Sequence, residues 1–368
     1  MPNPQRIEFA RNRRRWTKTR LARELGVQLR TIQAYEAGEY DPDPERLKKM
    51  AELLAFPQAF FDGPDLPRIC EHTASFRSMS KMSAALRDSA LSAGSLAFLL
   101  NTWIEDRFNL PKVDVPDLSD LGPDDAAASL RRMWGLGAAP ISNMVHLLES
   151  KGVRVYSLAI EAREVDAFSV WHEGTPFIFL NTLKSGEHSR FDAAHELAHL
   201  VRDTHSMLHG RAHGPDMERE ANAFASAFLM PRDDVVARRP AVVTTTSLMP
   251  LKAYWGVSLA ALAYRFSALS LVSEWTYRNL CIQIAKSGFR TKEPAPMRRE
   301  ASQMLAKVFE AVKADGVKRS DIADGLNISC EDLNALTFAL VIGGVGKGQP
   351  GPDLRTPPTS PAKLRLVA

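Results

Sequence analysis

The chain has 368 residues, 45% apolar and 24% charged, with a formal net charge of +4, which predicts a globular protein of two or three domains. No apolar run approaches the roughly 18 residues of a membrane span, and Met1–Arg6 lacks the apolar core of a secretory signal. The three cysteines, Cys70, Cys281 and Cys330, are far apart without C-x-x-C spacing, which excludes a disulfide framework and a thiolate zinc site and points to a reducing cytoplasm.

Charge is unevenly spread. Residues 1–35 carry Arg6, Arg11, Arg13, Arg14, Arg15, Lys18, Arg20, Arg23 and Arg30 against Glu8 and Glu24. A basic start of this kind predicts a polyanionic partner. Within it, Leu21, Ala22 and Leu25 form the apolar stripe of a short helix, and Gly26 permits the left-handed turn that follows. Val27, Thr31, Ile32 and Tyr35 resume the helical pattern, and Gly38 ends it. Two helices joined at a glycine make a helix-turn-helix whose second helix, about Gln28 to Tyr35, enters the major groove of double-stranded DNA. Its outward side chains are Gln28, Arg30, Thr31 and Gln33; arginine suits guanine edges and glutamine suits adenine edges. Asp41-Pro42-Asp43-Pro44 is a turn and helix start, and Leu47, Met50, Ala51, Leu53 and Leu54 line a packing helix. Residues 4–62 resemble the lambda-repressor-type (XRE) helix-turn-helix family. The resemblance implies glutamine at position 18, supporting the base-reading residues; Lys18 stands there instead and is suited to a phosphate. A small helical docking domain is the alternative reading of this segment.

Pro64-Asp65-Leu66-Pro67 breaks the first domain. From Ser75 to Phe108 the run Phe76, Met79, Met82, Leu86, Leu96, Leu100, Trp103 and Ile104 suits amphipathic helices whose stripe forms core. After a Pro/Asp-rich break at 111–123, helices are predicted at Asp124–Trp134 and Ser142–Lys151. The period then changes. Val153–Tyr156 reads as a strand, and Asp166–Trp171 with Pro176–Leu180 bracket His172-Glu173-Gly174-Thr175 as a hairpin. Phe177–Leu180, or its hairpin partner, is expected to be the sheet edge that holds an extended peptide by β-augmentation.

The most informative segment follows. His195-Glu196-Leu197-Ala198-His199 sets two histidines four apart on one helix face, close enough to share a metal ion. The glutamate between them can hold the water that the metal activates, the signature of a zinc metallopeptidase. In that chemistry Glu196 takes a proton from the water and passes it to the leaving amine.

Catalytic zinc takes three protein ligands and a water. His205 has metzincin spacing, but that motif needs glycine where Arg202 stands, to turn the chain sharply back. A glutamate of the next helix is the better candidate. Glu218 is followed one turn later by Asn222, which can hydrogen-bond a ligand histidine. Glu220 has Phe224 at that place and is expected to point away. The metal set is therefore His195, His199 and Glu218, as in gluzincins, with His205, His209 and His213 as loop residues.

His195-Glu196-Leu197-Ala198-His199-Leu200, Glu218-x-x-Ala221-Asn222-x-Phe224-Ala225 and Phe228-Leu229-Met230-Pro231 together resemble the ImmA/IrrE metallopeptidases, over about residues 140–285. With the helix-turn-helix in front and Ser75-Phe76-Arg77-Ser78 between, the chain resembles bacterial XRE regulators fused to an ImmA/IrrE domain. The resemblance implies a peptidase that cuts a helix-turn-helix repressor protein in stress or mobile-element control. The alternative is a non-proteolytic transcription factor, or an antitoxin-like homodimeric scaffold, that keeps the peptidase fold as a sensor.

Toward the C-terminus, 251–265 and 320–333 each read as a helix, a glycine turn and a helix without a strong basic face, which predicts packing rather than DNA reading. From Gly343 the chain turns to Gly, Pro, Lys and Ser, the composition of a disordered tail. The fold class is mainly α (α+β). It divides into a helix-turn-helix domain at 1–62, a helical connector at 63–125, a peptidase domain with a small sheet at 126–240, a helical region at 241–342 and the tail at 343–368.

Overall fold

The computed structural model describes residues 1–69, 83–158, 167–202 and 215–341. Cys70, Ser75–Ser78, His205, His209, His213 and the 343–368 tail lie outside the described residues. Among those described, no helix is long and apolar enough to cross a membrane.

Four helices build the N-terminal head: α1 (Pro4–Arg13), α2 (Lys18–Leu25), α3 (Leu29–Ala37) and α4 (Pro44–Leu54). Their ends are set locally. Thr17 caps α2 by accepting from Arg20 N, and Asp43 caps α4 by accepting from Arg46 N. Gly26 and Gly38 close α2 and α3 at φ 72°, a conformation that disfavours a Cβ. Ile7, Leu21, Ile32, Tyr35, Met50 and Leu54 fill the head's core.

The long helix α5 (Ala84–Glu105) packs on α1 at one end and beneath a three-stranded sheet at the other. Gly94 leaves no room for a Cβ against Ile69, Phe168 and Phe179, so helix and sheet meet closely there. Helices α6 (Pro123–Met133) and α7 (Met144–Ser150) lead into the strands β1 (Arg154–Ser157), β2 (Ala167–His172) and β3 (Thr175–Leu180). The order is β1-β3-β2, with β1 parallel and β2 antiparallel to β3. The hairpin forms where the sequence places it, through Glu173 and Gly174 at positive φ. The expected edge needs correction: Phe177–Leu180 is the central strand, and its hairpin partner β2 is an edge. β3 is apolar at almost every position and buried from Pro176 to Leu180, as a strand flanked on both sides requires.

Phe98 of α5 stacks on His172 at 3.9 Å and meets Phe177 edge-on. The opposite face of the sheet carries α8 (Gly186–Arg202), and α9 (Pro215–Leu229) lies along α8 and α6. Next come α10 (Arg232–Ala237), α11 (Thr245–Trp255), α12 (Leu259–Ala268) and α13 (Glu274–Lys286). The glycine turn between α11 and α12 serves packing. Trp255, Leu259 and Leu262 are buried, and Lys252 is buried against Glu187 at 2.6 Å.

The chain ends in α14 (Gln303–Ala314), α15 (Arg319–Gly325) and α16 (Cys330–Thr337). Glu149 of α7 ties down the start of α14, accepting from Ser302 Oγ and from the backbone of Gln303 and Met304. Asp332 of α16 binds Arg13 and Arg14 of the head. Part of the basic surplus of residues 1–35 is thus neutralised inside the protein.

Candidate metal centre

Fourteen of the residues of α8, among them His195, Glu196 and His199, are buried between the sheet and α9. His195 and His199, one turn apart, bring their Nε2 atoms to 3.1 Å from each other. From α9, Glu218 reaches the same point, Oε2 lying 3.4 Å from His195 Nε2 and Oε1 3.5 Å from His199 Nε2. Among the described residues these three form the group of His, Cys, Asp and Glu able to hold a metal ion, with one ligand atom from each within 4.8 Å of the others.

Hydrogen bonding orients the donors. Asn222 Nδ2 donates to Glu218 O at 2.8 Å, one turn back on α9. That leaves Asn222 Oδ1 facing His195 Nδ1 at 3.2 Å. An amide oxygen only accepts, so the His195 proton sits on Nδ1 and the Nε2 lone pair points into the cluster. A lone pair, a second imidazole nitrogen and a carboxylate repel one another unless a cation sits between them. Burial works to raise the Glu218 carboxyl; only protonated imidazoles at His195 and His199, donating to it and charged, would outweigh that and hold it well below the usual carboxylate range. A metal ion supplies the same positive charge. Tetrahedral zinc with bonds of about 2.0–2.1 Å has ligand–ligand edges of about 3.3–3.4 Å, close to the separations of these three residues. The donor set fits zinc.

Glu196, between the two histidines, is bonded to the sheet. Ser169 of β2 donates its hydroxyl to Glu196 Oε2 at 2.8 Å, both residues being buried. Sequence reasoning missed Ser169. The signal was a single hydroxyl residue within the apolar run Ala167-Phe168-Ser169-Val170-Trp171. Glu220 points away, as expected, and pairs with Arg202 at 2.8 Å. Arg202 also donates to Leu121 O and remains within α8, where the metzincin pattern would have a glycine turn.

In the head, Gln28, Arg30 and Gln33 are exposed and Thr31 is half-buried along α3. Lys18 is differently engaged: its Nζ lies 3.0 Å from Glu36 Oε2 of α3. Arg11 grips the same carboxylate through Nε at 2.5 Å and Nη2 at 3.1 Å. Lys18 therefore helps to fix α3 against α1 and α2.

The head and this buried cluster define a protein that joins a DNA-binding module to a metallopeptidase-like one. Residues 7–57 match the helix-turn-helix family, of the XRE type, and residues 148–267 match the IrrE N-terminal-like domain family, a peptidase family. The second match runs from the end of α7 through most of α12. No curated protein matches the chain.

Proposed function

We propose that the chain is a DNA-binding transcriptional regulator whose second module is a zinc-dependent endopeptidase acting on a helix-turn-helix repressor protein. The observation that carries this reading is the convergence of His195, His199 and Glu218 beside Glu196. Zinc held by those three side chains would supply Lewis acidity toward a peptide carbonyl and acidify a water. Glu196 would take a proton on its carboxylate from the water whose oxygen bonds to the peptide carbonyl carbon, and give it to the amine nitrogen as the peptide C–N bond breaks. Ser169 holds Glu196 in one rotamer for both transfers. β2, with one side unpaired by any described strand, aligns an extended peptide by main-chain hydrogen bonds. Gln28, Arg30, Thr31 and Gln33 read the major groove, and repressor cleavage and DNA binding share one cytoplasmic polypeptide.

The test is metal analysis of the purified chain, then incubation with a helix-turn-helix repressor encoded beside its gene, with and without chelator. One equivalent of zinc and chelator-sensitive cleavage are expected. Zinc without cleavage would favour a metal-sensing regulator, and a chain that takes up no zinc would sink the peptidase reading and leave the non-proteolytic scaffold.

A further inference from the structure

The joint between head and body contains a charged cluster that neither DNA reading nor the metal centre uses. Helix α1 runs into Arg13-Arg14-Arg15. Asp332, in the first turn of α16 and 1% exposed, accepts from Arg13 Nε at 2.9 Å and from Arg14 Nη1 and Nη2 at 2.9 and 2.7 Å. Arg14 is fully engaged, donating also to Leu54 O and Ala55 O, with its guanidinium over the Phe56 ring at 4.5 Å. Arg15 is exposed and makes no side-chain hydrogen bond or ion pair among the described residues. It also sits at φ 57°, where glycine would be the unstrained choice. A cavity of about 270 Å3 opens beside the cluster, lined by Arg13, Arg14, Arg15, Ser89, Glu331 and Asp332. Three guanidinium groups thus meet two carboxylates, of which Asp332 alone is bound to them.

We propose that this cavity binds a small phosphate-bearing ligand, whose oxygens take Arg15 and compete with Asp332 for Arg13. A phosphate monoester carries up to two charges and three acceptor oxygens, against one charge and two oxygens on Asp332, and guanidinium forks favour such oxygens in pairs. The volume lies just below that of sites for drug-sized molecules, which suits a phosphomonoester better than a dinucleotide. Occupancy weakens the hold of Asp332 on α1 and so links the ligand to the position of the DNA-binding head.

The probes are inorganic phosphate and phenyl phosphate, titrated into the full chain at constant ionic strength and followed by calorimetry. One saturable site is expected, weakened at least about tenfold by Arg15→Gln and tightened several-fold by Asp332→Asn, since each charged contact contributes on this scale. Arg15→Gly relieves the backbone while removing the side chain, so it should abolish binding with an unchanged or raised melting temperature. Absence of saturable binding, or binding indifferent to Arg15→Gln, overturns the proposal. So does an Asp332→Asn variant that leaves phosphate binding unchanged and instead steepens the salt dependence of duplex binding, because the arginines would then serve a DNA backbone.

Discussion

Asn222 Oδ1 lies 3.2 Å from His195 Nδ1, and Asn222 Nδ2 is held by Glu218 O at 2.8 Å. One amide thus fixes the tautomer of one candidate ligand while bonded to the backbone of another. Outer contacts of this kind are typically worth about 10–100-fold in metal affinity. Asn222→Leu should weaken zinc binding by about that factor, measured by competition with a chromogenic chelator. Asn222→Asp keeps an acceptor for Nδ1 and should retain most of the affinity. Equal affinities for the leucine variant and the parent would detach Asn222 from the metal centre.

Glu196 and Ser169 are separable from metal binding. Glu196 offers its carboxylate to Ser169 and is not among the three converging ligands. Glu196→Gln should therefore leave zinc content intact and lower repressor cleavage by at least about 100-fold, the usual range for a lost general base. Ser169→Ala should lower kcat about tenfold with little change in KM, because the hydroxyl orients the base rather than the peptide. Ser169→Thr, which keeps the hydroxyl, should restore most of the rate. A Glu196→Gln variant that cleaves at the parental rate would remove this residue from the chemistry.

What the sequence made legible is local. The capping glycines Gly26 and Gly38, the Asp43 cap and the Glu173–Gly174 turn each follow from a few neighbouring residues. The same holds for two imidazoles one helical turn apart, and Glu218 could be preferred to Glu220 because Asn222 lies one turn away on the same helix. Contacts between distant segments left no such trace. The parallel pairing of β1 with β3 made the expected edge strand central. Lys18 reads as a phosphate contact until Glu36 is seen beside it. Arg14 and Asp332 are 318 residues apart, and nothing in either segment names the other.

The Glu36 clamp makes two opposite expectations for the head. Its carboxylate is buried and held in both oxygens by Arg11, whereas Lys18 is 40% exposed. Breaking a buried pair from one side costs about 3–5 kcal/mol, while an exposed partner is worth under about 1 kcal/mol. Glu36→Gln should therefore lower the melting temperature of the head and weaken binding to duplexes of any sequence, since α3 loses its seat. Lys18→Met should change stability little. If Lys18 serves Glu36 rather than a phosphate, that variant should also leave the slope of log affinity against log salt unchanged. Loss of one phosphate contact would instead reduce the slope by about 0.9.

The joint between head and body should weaken in acid. Burial acts to raise the Asp332 carboxyl, but the Arg14 hydrogen bond and the charges of Arg13 and Arg14 outweigh it and hold it below the ordinary value, which is about 3.9 for an aspartate. A group whose folded value is depressed stabilises the fold above its unfolded value and loses that contribution as the pH falls through the folded one. The clasp is thus complete above about pH 4 and is lost progressively below it. Asp332→Asn, which leaves two arginines facing an uncharged amide, should cost about 3 kcal/mol at neutral pH, at the low end for a broken buried pair. The gap between parent and variant, read from the thermal transition of the head, should narrow as the pH is lowered toward 3 (about one unit below the ordinary aspartate value). A gap that stays constant down to that pH would mean that the carboxylate charge contributes nothing to the joint.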